Sequence, residues 1–78
     1  MPDYKMDIRG QIGLGEYSDI YDYMGVVDKN DNFTIVLDNS NKKYINIITS
    51  MLKESNFLIC EQGVAENGDY YINANKDK

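Results

Sequence analysis

The chain has 78 residues and a formal net charge of −5, with 13 acidic and 8 basic side chains. A single cysteine excludes an intramolecular disulfide, and the absence of histidine removes the commonest general base and transition-metal ligand. The acidic balance argues against general affinity for nucleic acid or anionic membrane, because binding to phosphates needs clustered lysine and arginine.

A chain of this length predicts one domain, residues 1–78, near the lower size limit for a single hydrophobic core. No apolar run approaches the length of a membrane-spanning helix, and Met1 to Lys5 lack the basic-then-apolar pattern of a signal peptide. We therefore expect a cytoplasmic protein that does not associate with membranes. Cys60 is the last residue of the apolar run 57–60 and is expected to be reduced and buried.

The first element predicted along the chain is a half-buried strand from Tyr4 to Leu14, where apolar and polar residues alternate. Gly10 interrupts the alternation and marks a bend or bulge. Gly13 and Gly15 end the strand. They lack the third glycine of a dinucleotide-binding loop, and no βαβ unit is expected around them, so they predict a turn.

Residues 16–27 allow two interpretations. Ser18 can cap a short helix that continues through Met24. Alternatively, Ile20–Val27 forms a strand that pairs with the next apolar run across the turn Asp28–Asn32, where Asp and Asn favour a tight connection. We favour the hairpin.

Two later runs predict strands of central character. Phe33–Leu37 is apolar on both faces except at Thr34, and Phe57–Gln62 is a second short apolar run, ended by Gly63. Strands buried on both faces show such near-continuous apolar runs.

The C-terminal region predicts a hairpin, because Asn67-Gly68 is a strong two-residue turn signal. Asp69–Ala74 would supply the returning strand. The apolar positions of its two strands match only if the first contains a bulge, which we place at Gly63. Residues 75–78 are expected to be a frayed tail.

One amphipathic helix, about 41–55, is the clearest local signal. Its apolar side chains fall in one arc of about 160°, which predicts a buried face; they are Tyr44, Ile45, Ile47, Ile48, Met51 and Leu52. Its start is marked by side chains that can accept the first amide hydrogens, namely Asp38, Asn39, Ser40 and Asn41. The predicted fold is α+β, an antiparallel or mixed sheet of four to five strands with this helix on one face, and Ile48 at the centre of the contact.

Two acidic groups are interpreted as ordinary loop residues. Asp28–Asn32 begins like a calcium-binding loop, but Phe33 replaces the required glycine and Asn39 the bidentate glutamate. Three carboxylates of the C-terminal hairpin come together without a group that would separate their pKa values, so they predict solvated charges; they are Glu61, Glu66 and Asp69. We therefore expect no catalytic, metal or cofactor site and no enzyme.

The segment 16–24 is the candidate partner-binding site, because tyrosines and acids alternate there without a basic residue. Tyrosine provides large contact area with few rotatable bonds, and spaced carboxylates suit a basic surface such as the groove of a nucleic-acid-binding protein. The predicted contact residues are Glu16, Tyr17, Asp19, Tyr21, Asp22 and Tyr23. If the segment is helical, Asp19, Asp22 and Tyr23 share one face and Tyr21 turns away. If it is a strand, Asp19, Tyr21 and Tyr23 share one face and Asp22 points to the other.

These features predict a small acidic, non-enzymatic binding or regulatory protein that contacts a protein with a basic surface. Its size and charge resemble those of small acidic inhibitors made by phages and plasmids. This resemblance is limited to size and charge and is not supported by any sequence motif. The alternative is a winged nucleic-acid-binding module, with helix 41–55 in a groove and the hairpin at 67–68 as the wing. Lys42, Lys43 and Lys53 on the helix would support that alternative.

Overall fold

The computed structural model describes residues 3–10, 12–29 and 31–76. Outside these ranges lie Gln11 of the predicted first strand, Asn30 of the predicted turn, Met1 and Pro2 of the N-terminal segment, and Asp77 and Lys78 of the predicted tail. The side chains of Asn39, Ser40 and Lys42 also lie outside the description.

The described chain forms a four-stranded mixed sheet with two α-helices. The elements are β1 (Asp3–Ile8), α1 (Leu14–Val26), β2 (Asn32–Leu37), a 3₁₀ helix (Asn39–Tyr44), α2 (Ile45–Glu54), β3 (Phe57–Val64) and β4 (Tyr70–Lys76). The strand order is β1-β2-β4-β3, with β1 parallel to β2 and the other pairs antiparallel. The predicted α+β fold, with a mixed sheet and an amphipathic helix, is confirmed.

The core lies between one face of the sheet and both helices. Alternate residues of the two central strands face it, so that Phe33 pairs with Ala74 and Ile35 with Ile72, all fully buried. The helices add their own fully or almost fully buried side chains to the same cluster, namely Ile20 and Met24 from α1 and Ile48 and Leu52 from α2. The predicted burial of Ile48 is confirmed.

The prediction of a strand at Ile20–Val27 is wrong, because residues 20–26 belong to helix α1 and Val27 is its C-cap. The parallel pairing of β1 with β2 explains the difference: a parallel connection must cross from one end of the sheet to the other, and a helix makes that crossover. The helix buries Ile20 and Met24, which are four residues apart and therefore lie on one face. It begins after Gly13, five residues before the predicted cap Ser18.

The first strand is shorter than predicted. It ends at Ile8, and Gly10 has a φ of 76°, a left-handed conformation that favours glycine and turns the chain away from the sheet. Ile12 is buried in the core from the connecting loop, whereas Leu14 opens α1 and is 85% exposed.

Helix α2 begins at Ile45, later than predicted, because residues 39–44 form the 3₁₀ helix. Asn41, expected to cap the helix, is instead buried, and its Nδ2 donates a hydrogen bond to the Gly10 carbonyl. The helix ends as predicted at Ser55 and Asn56, where Asn56 adopts a φ of 67°. Within the apolar arc Ile47 differs from the prediction, since it is 49% exposed.

The run Phe57–Gln62 is not central, because β3 forms an edge of the sheet and β4 lies between it and β2. Phe57 is buried, but Leu58 points to the uncovered face and is 62% exposed. The predicted bulge exists at Cys60, between Ile59 and Glu61, instead of at Gly63. Cys60 is therefore exposed and not buried as expected, and its Sγ donates to Asn75 Oδ1.

The hairpin at Asn67-Gly68 is confirmed, but its loop has three residues, 66–68, instead of the predicted two. The Ala65 N–H donates to the Asp69 carbonyl at 2.7 Å, and the Gly68 N–H donates to the Ala65 carbonyl at 3.0 Å. Gly68 has a φ of 93°, the left-handed position that such loops require.

Lys76 was expected in a frayed tail, but it belongs to β4 and contacts α1. Its Nζ donates to the carbonyls of Met24 at 3.3 Å and Val27 at 3.1 Å, and lies 5.7 Å from the centre of the Phe57 ring. The last carbonyls of a helix lack partners and carry partial negative charge. Lys76, which is distant in the sequence, therefore supplies hydrogen bonds and positive charge at the end of α1, whose own last turn contains no basic residue.

Candidate partner-binding site

All six predicted contact residues lie on α1, but they face in different directions. Three are exposed, namely Asp19, Tyr21 and Asp22, and three are partly buried, namely Glu16, Tyr17 and Tyr23. The helix therefore divides the predicted site into residues that build the fold and residues that face solvent.

Glu16 caps the start of α1. Its Oε1 accepts a hydrogen bond from the Gly13 N–H at 2.6 Å, which satisfies an amide at the helix N-terminus. A βαβ unit does surround Gly13 and Gly15, contrary to the sequence expectation, since β1 and β2 are parallel. The Glu16 carboxylate nevertheless occupies this N-terminus with negative charge, which opposes binding of a phosphate there.

Tyr23 and Tyr17 pack against the core cluster. The Tyr23 ring stacks on Phe33 with centroids 5.4 Å apart and planes 5° apart, and it meets Tyr4 edge-on at 6.0 Å. These contacts hold Tyr23 on the sheet and leave part of its ring available at the flank of the helix.

An open groove of about 370 Å³ lies between α1 and the edge strand β1. It is lined by Met6 of β1 and by Asp19, Asp22, Tyr23 and Val26 of α1. The groove thus brings together the three residues that a helical segment was predicted to place on one face. We call these five lining residues the α1–β1 groove.

Tyr21 lies away from the groove, as the helical alternative predicted. It is 62% exposed and borders a second, smaller hollow of about 160 Å³ together with Met24, Gly25, Ser55 and Lys76.

The α1–β1 groove combines an apolar surface with two negative charges. Val26 is 60% exposed, and α1 contains no lysine or arginine. Within the described ranges, neither Asp19 nor Asp22 forms a salt bridge or a side-chain hydrogen bond. Such a surface can hold the apolar stem of a cationic side chain and accept hydrogen bonds from its charged end.

Sequence reasoning missed Met6 and Val26. Met6 was placed on the apolar side of a strand, and Val26 was assigned to a strand as well, so neither was connected with the acidic segment. The helical period could have joined Val26 to Asp19 and Asp22, seven and four residues earlier. The contribution of Met6 depends on the packing of α1 over β1 and has no local signal.

The expectation of solvated charges is wrong for Asp69. This residue is only 8% exposed, and its Oδ2 lies 2.7 Å from Arg9 Nη2, while Arg9 Nε lies 2.9 Å from Asp7 Oδ1. The hydrogen bond from Arg9 lowers the pKa of Asp69, partly opposed by burial. The pair joins the loop after β1 to the hairpin before β4. Glu61 and Glu66 are exposed.

A metal site and a nucleic-acid-binding wing are two other kinds of site. In the described chain, no group of three histidine, cysteine or acidic side chains is placed to hold a metal ion. The hairpin predicted as a wing is part of the sheet, because β4 pairs along its length with β2 and β3. Lys43 lies over the Tyr44 ring at 5.3 Å, and Lys53 is exposed on α2.

No protein-family model, no curated protein and no solved structure matches this chain. No helix within the described ranges is both long enough and apolar enough to cross a lipid bilayer.

Proposed function

We propose that this chain is a small, non-enzymatic binding protein that contacts a protein partner with a basic surface through α1. The observation that carries the proposal is the α1–β1 groove, where exposed apolar surface borders two carboxylates that form no salt bridge within the described part of the chain. An inhibitory or regulatory role fits this mode of action, since a small acidic domain can cover a basic surface on its partner.

Electrostatics support a partner of opposite charge. The formal net charge of −5 attracts a basic surface over a distance, and the exposed carboxylates of Asp19 and Asp22 form no salt bridge within the described ranges. Complementary charge raises the rate of encounter, while desolvated aromatic and apolar contacts slow dissociation. Asp19 and Asp22 would serve the first purpose, and Tyr23, Met6 and Val26 the second.

Elsewhere, the shifted pKa values have structural causes. Arg9 and Asp69 pair with each other, so the pKa of Asp69 is lowered and that of Arg9 is raised. Burial and the neighbouring Glu61 raise the pKa of Tyr71. These shifts accompany contacts within the fold.

The test uses the immobilised chain to capture proteins from the cells that produce it. Asp19→Lys with Asp22→Lys should abolish capture of a stoichiometric partner and leave the circular dichroism spectrum unchanged, because exposed substitutions shift stability by less than about 0.5 kcal/mol each. Glu16 is left intact because it caps α1.

The matched control is Glu54→Lys with Glu66→Lys, which changes the net charge equally at two exposed sites on other elements. This control should retain the partner. Equal loss of the partner in both double variants would show that only net charge matters and would contradict the proposed site.

A further inference from the structure

The outer edge of β1 offers unpaired backbone groups. In a parallel pair, the N–H and C=O of one residue point to the same side and successive residues alternate. The Ile8 carbonyl accepts from the Asp38 N–H at 3.1 Å, so Ile8, Met6 and Tyr4 direct their backbone groups toward β2. The backbone groups of Lys5 and Asp7 therefore face away from the sheet, and in the described chain no strand pairs with them.

The two edges of the sheet differ in their capacity to accept another strand. On β3, the bulge between Ile59 and Glu61 interrupts the ladder, a feature that protects edges against further pairing. On β1, the register runs without a shift from Asp3 opposite Asn32 to Ile8 opposite Leu37. The regular edge is the one that borders the α1–β1 groove.

A strand added beside β1 would place every second side chain in that groove. Side chains alternate between the two faces of a sheet, and the Met6 side chain points to the helix-covered face. The side chains of the added strand on that face would lie beside Met6 and against the flank of α1. Strand addition of this kind derives affinity from main-chain hydrogen bonds and specificity from pockets for alternate side chains.

Arginine is the side chain that fits the lining of the groove. Its apolar stem can cover Met6 and Val26, and its guanidinium can stack on the exposed part of Tyr23. The same group can donate paired hydrogen bonds to the carboxylates of Asp19 and Asp22.

A second copy of this chain is a poor occupant. Antiparallel pairs of β1 strands centred on Lys5 or on Asp7 would place like charges directly opposite each other, which destabilises a strand pair. The register centred on Met6 would place Lys5 opposite Asp7 instead, but each of these pairs would bring two acidic α1 helices together on the same side of the extended sheet.

We propose that β1 accepts an extended segment of a partner protein as an additional strand, with arginine side chains at alternate positions lying in the α1–β1 groove. This inference rests on the proposed function, because it specifies the partner segment that the acidic surface of α1 would bind.

The probe is a short acetylated and amidated peptide of alternating threonine and arginine, titrated into the ¹⁵N-labelled chain. Saturable binding should shift the amides of Lys5 and Asp7 and protect them from hydrogen exchange, together with shifts at Asp19, Asp22 and Val26. Absence of saturable binding, or shifts that leave the two β1 amides unchanged, would overturn the inference.

Backbone pairing is tested by methylating the peptide amides. In an antiparallel added strand the threonine amides would face Lys5, so methylation of the threonine amides would block pairing. In a parallel added strand the arginine amides would face β1, so methylation of the arginine amides would block pairing. One of the two analogues should lose binding and the other should keep it. Retained binding of both would show that the peptide does not pair with β1.

On the protein, Lys5→Pro should abolish peptide binding and Lys5→Ala should retain it. Proline at this position removes an N–H that faces away from β2, and proline is tolerated on edge strands for that reason. If Lys5→Pro fails to fold, the methylated peptides still decide the question on the unaltered chain.

The groove is tested with Asp19→Asn and Asp22→Asn together, which should weaken binding on the order of tenfold. Glu54→Gln with Glu66→Gln is the matched control and should leave the affinity unchanged. If capture of a cellular partner requires Asp19 and Asp22 but the peptide does not pair with β1, strand addition is refuted and the proposed function stands. If neither is observed, both fail.

Discussion

The two helices cover the same face of the sheet but differ in how they divide their side chains between core and surface. In α2, Ile48 and Leu52 are fully buried, and the exposed side is mostly polar. In α1, Ile20 and Met24 are buried, yet Tyr21 and Val26 are more than half exposed. The comparison shows that similar burial can accompany very different surfaces.

The difference explains why only α2 was recognisable as a helix. Apolar residues of α2 fall largely in one arc, so its period is clear. In α1, apolar and aromatic residues also occupy the two flanks of the helix. One flank lines the α1–β1 groove, and the other, which contains Tyr21, lines the smaller hollow next to Ser55. Apolar residues outside the buried face blur the helical period, and for this reason the sequence favoured a strand.

The largest expected effect tests whether both helices support the core equally. Ile20→Ala and Ile48→Ala should each lower the free energy of unfolding by about 2–5 kcal/mol, because both side chains are 0% exposed. Urea unfolding measures this as a lower midpoint at unchanged slope.

The matched control is Ile47→Ala, which removes the same atoms from a half-exposed position of α2. It should cost clearly less than either buried variant. An Ile20→Ala effect no larger than that of Ile47→Ala would mean that α1 is not an element of the core.

An intermediate effect is expected from the contact that is specific to α1. Lys76→Met keeps an apolar stem but removes the hydrogen bonds to the Met24 and Val27 carbonyls, and should cost about 1–2 kcal/mol. Amide hydrogen exchange should quicken in the last turn of α1 more than in α2.

Lys29→Met is the control, since Lys29 is an exposed residue of the neighbouring loop. It should leave both helices as protected as in the unaltered chain. Uniform loss of protection in α1 and α2 after Lys76→Met would show that the lysine stabilises the whole fold and not α1 in particular.

The smallest expected effect is a gain in stability. Gly25→Ala should raise the free energy of unfolding by about 0.5–1 kcal/mol, because alanine favours the helix and its Cβ would meet nothing within 4 Å. Gly10→Ala should instead be destabilising, since Gly10 has a φ of 76°. Loss of stability in Gly25→Ala would indicate that this part of α1 is not helical in solution.

Local patterns by themselves determined the parts of the fold whose stability depends on neighbours in sequence. The apolar arc of α2, the run of β2 and the turn at Asn67-Gly68 were all predictable, because a helical face, a buried strand and a tight turn are each encoded within a few residues. The acidic and aromatic composition of residues 16–24 also marked the segment as a candidate site, and its helical alternative placed Asp19, Asp22 and Tyr23 on one face.

The tertiary structure alone decided what depends on residues far apart in the chain. Parallel pairing of β1 with β2 made α1 a helix, and insertion of β4 beside β2 placed β3 at an edge. The contacts of Lys76 with α1 and of Arg9 with Asp69 join segments about fifty or more residues apart. The α1–β1 groove belongs to the same class, because Met6 and the flank of α1 meet only when the helix packs over the edge strand, and no local period encodes that packing.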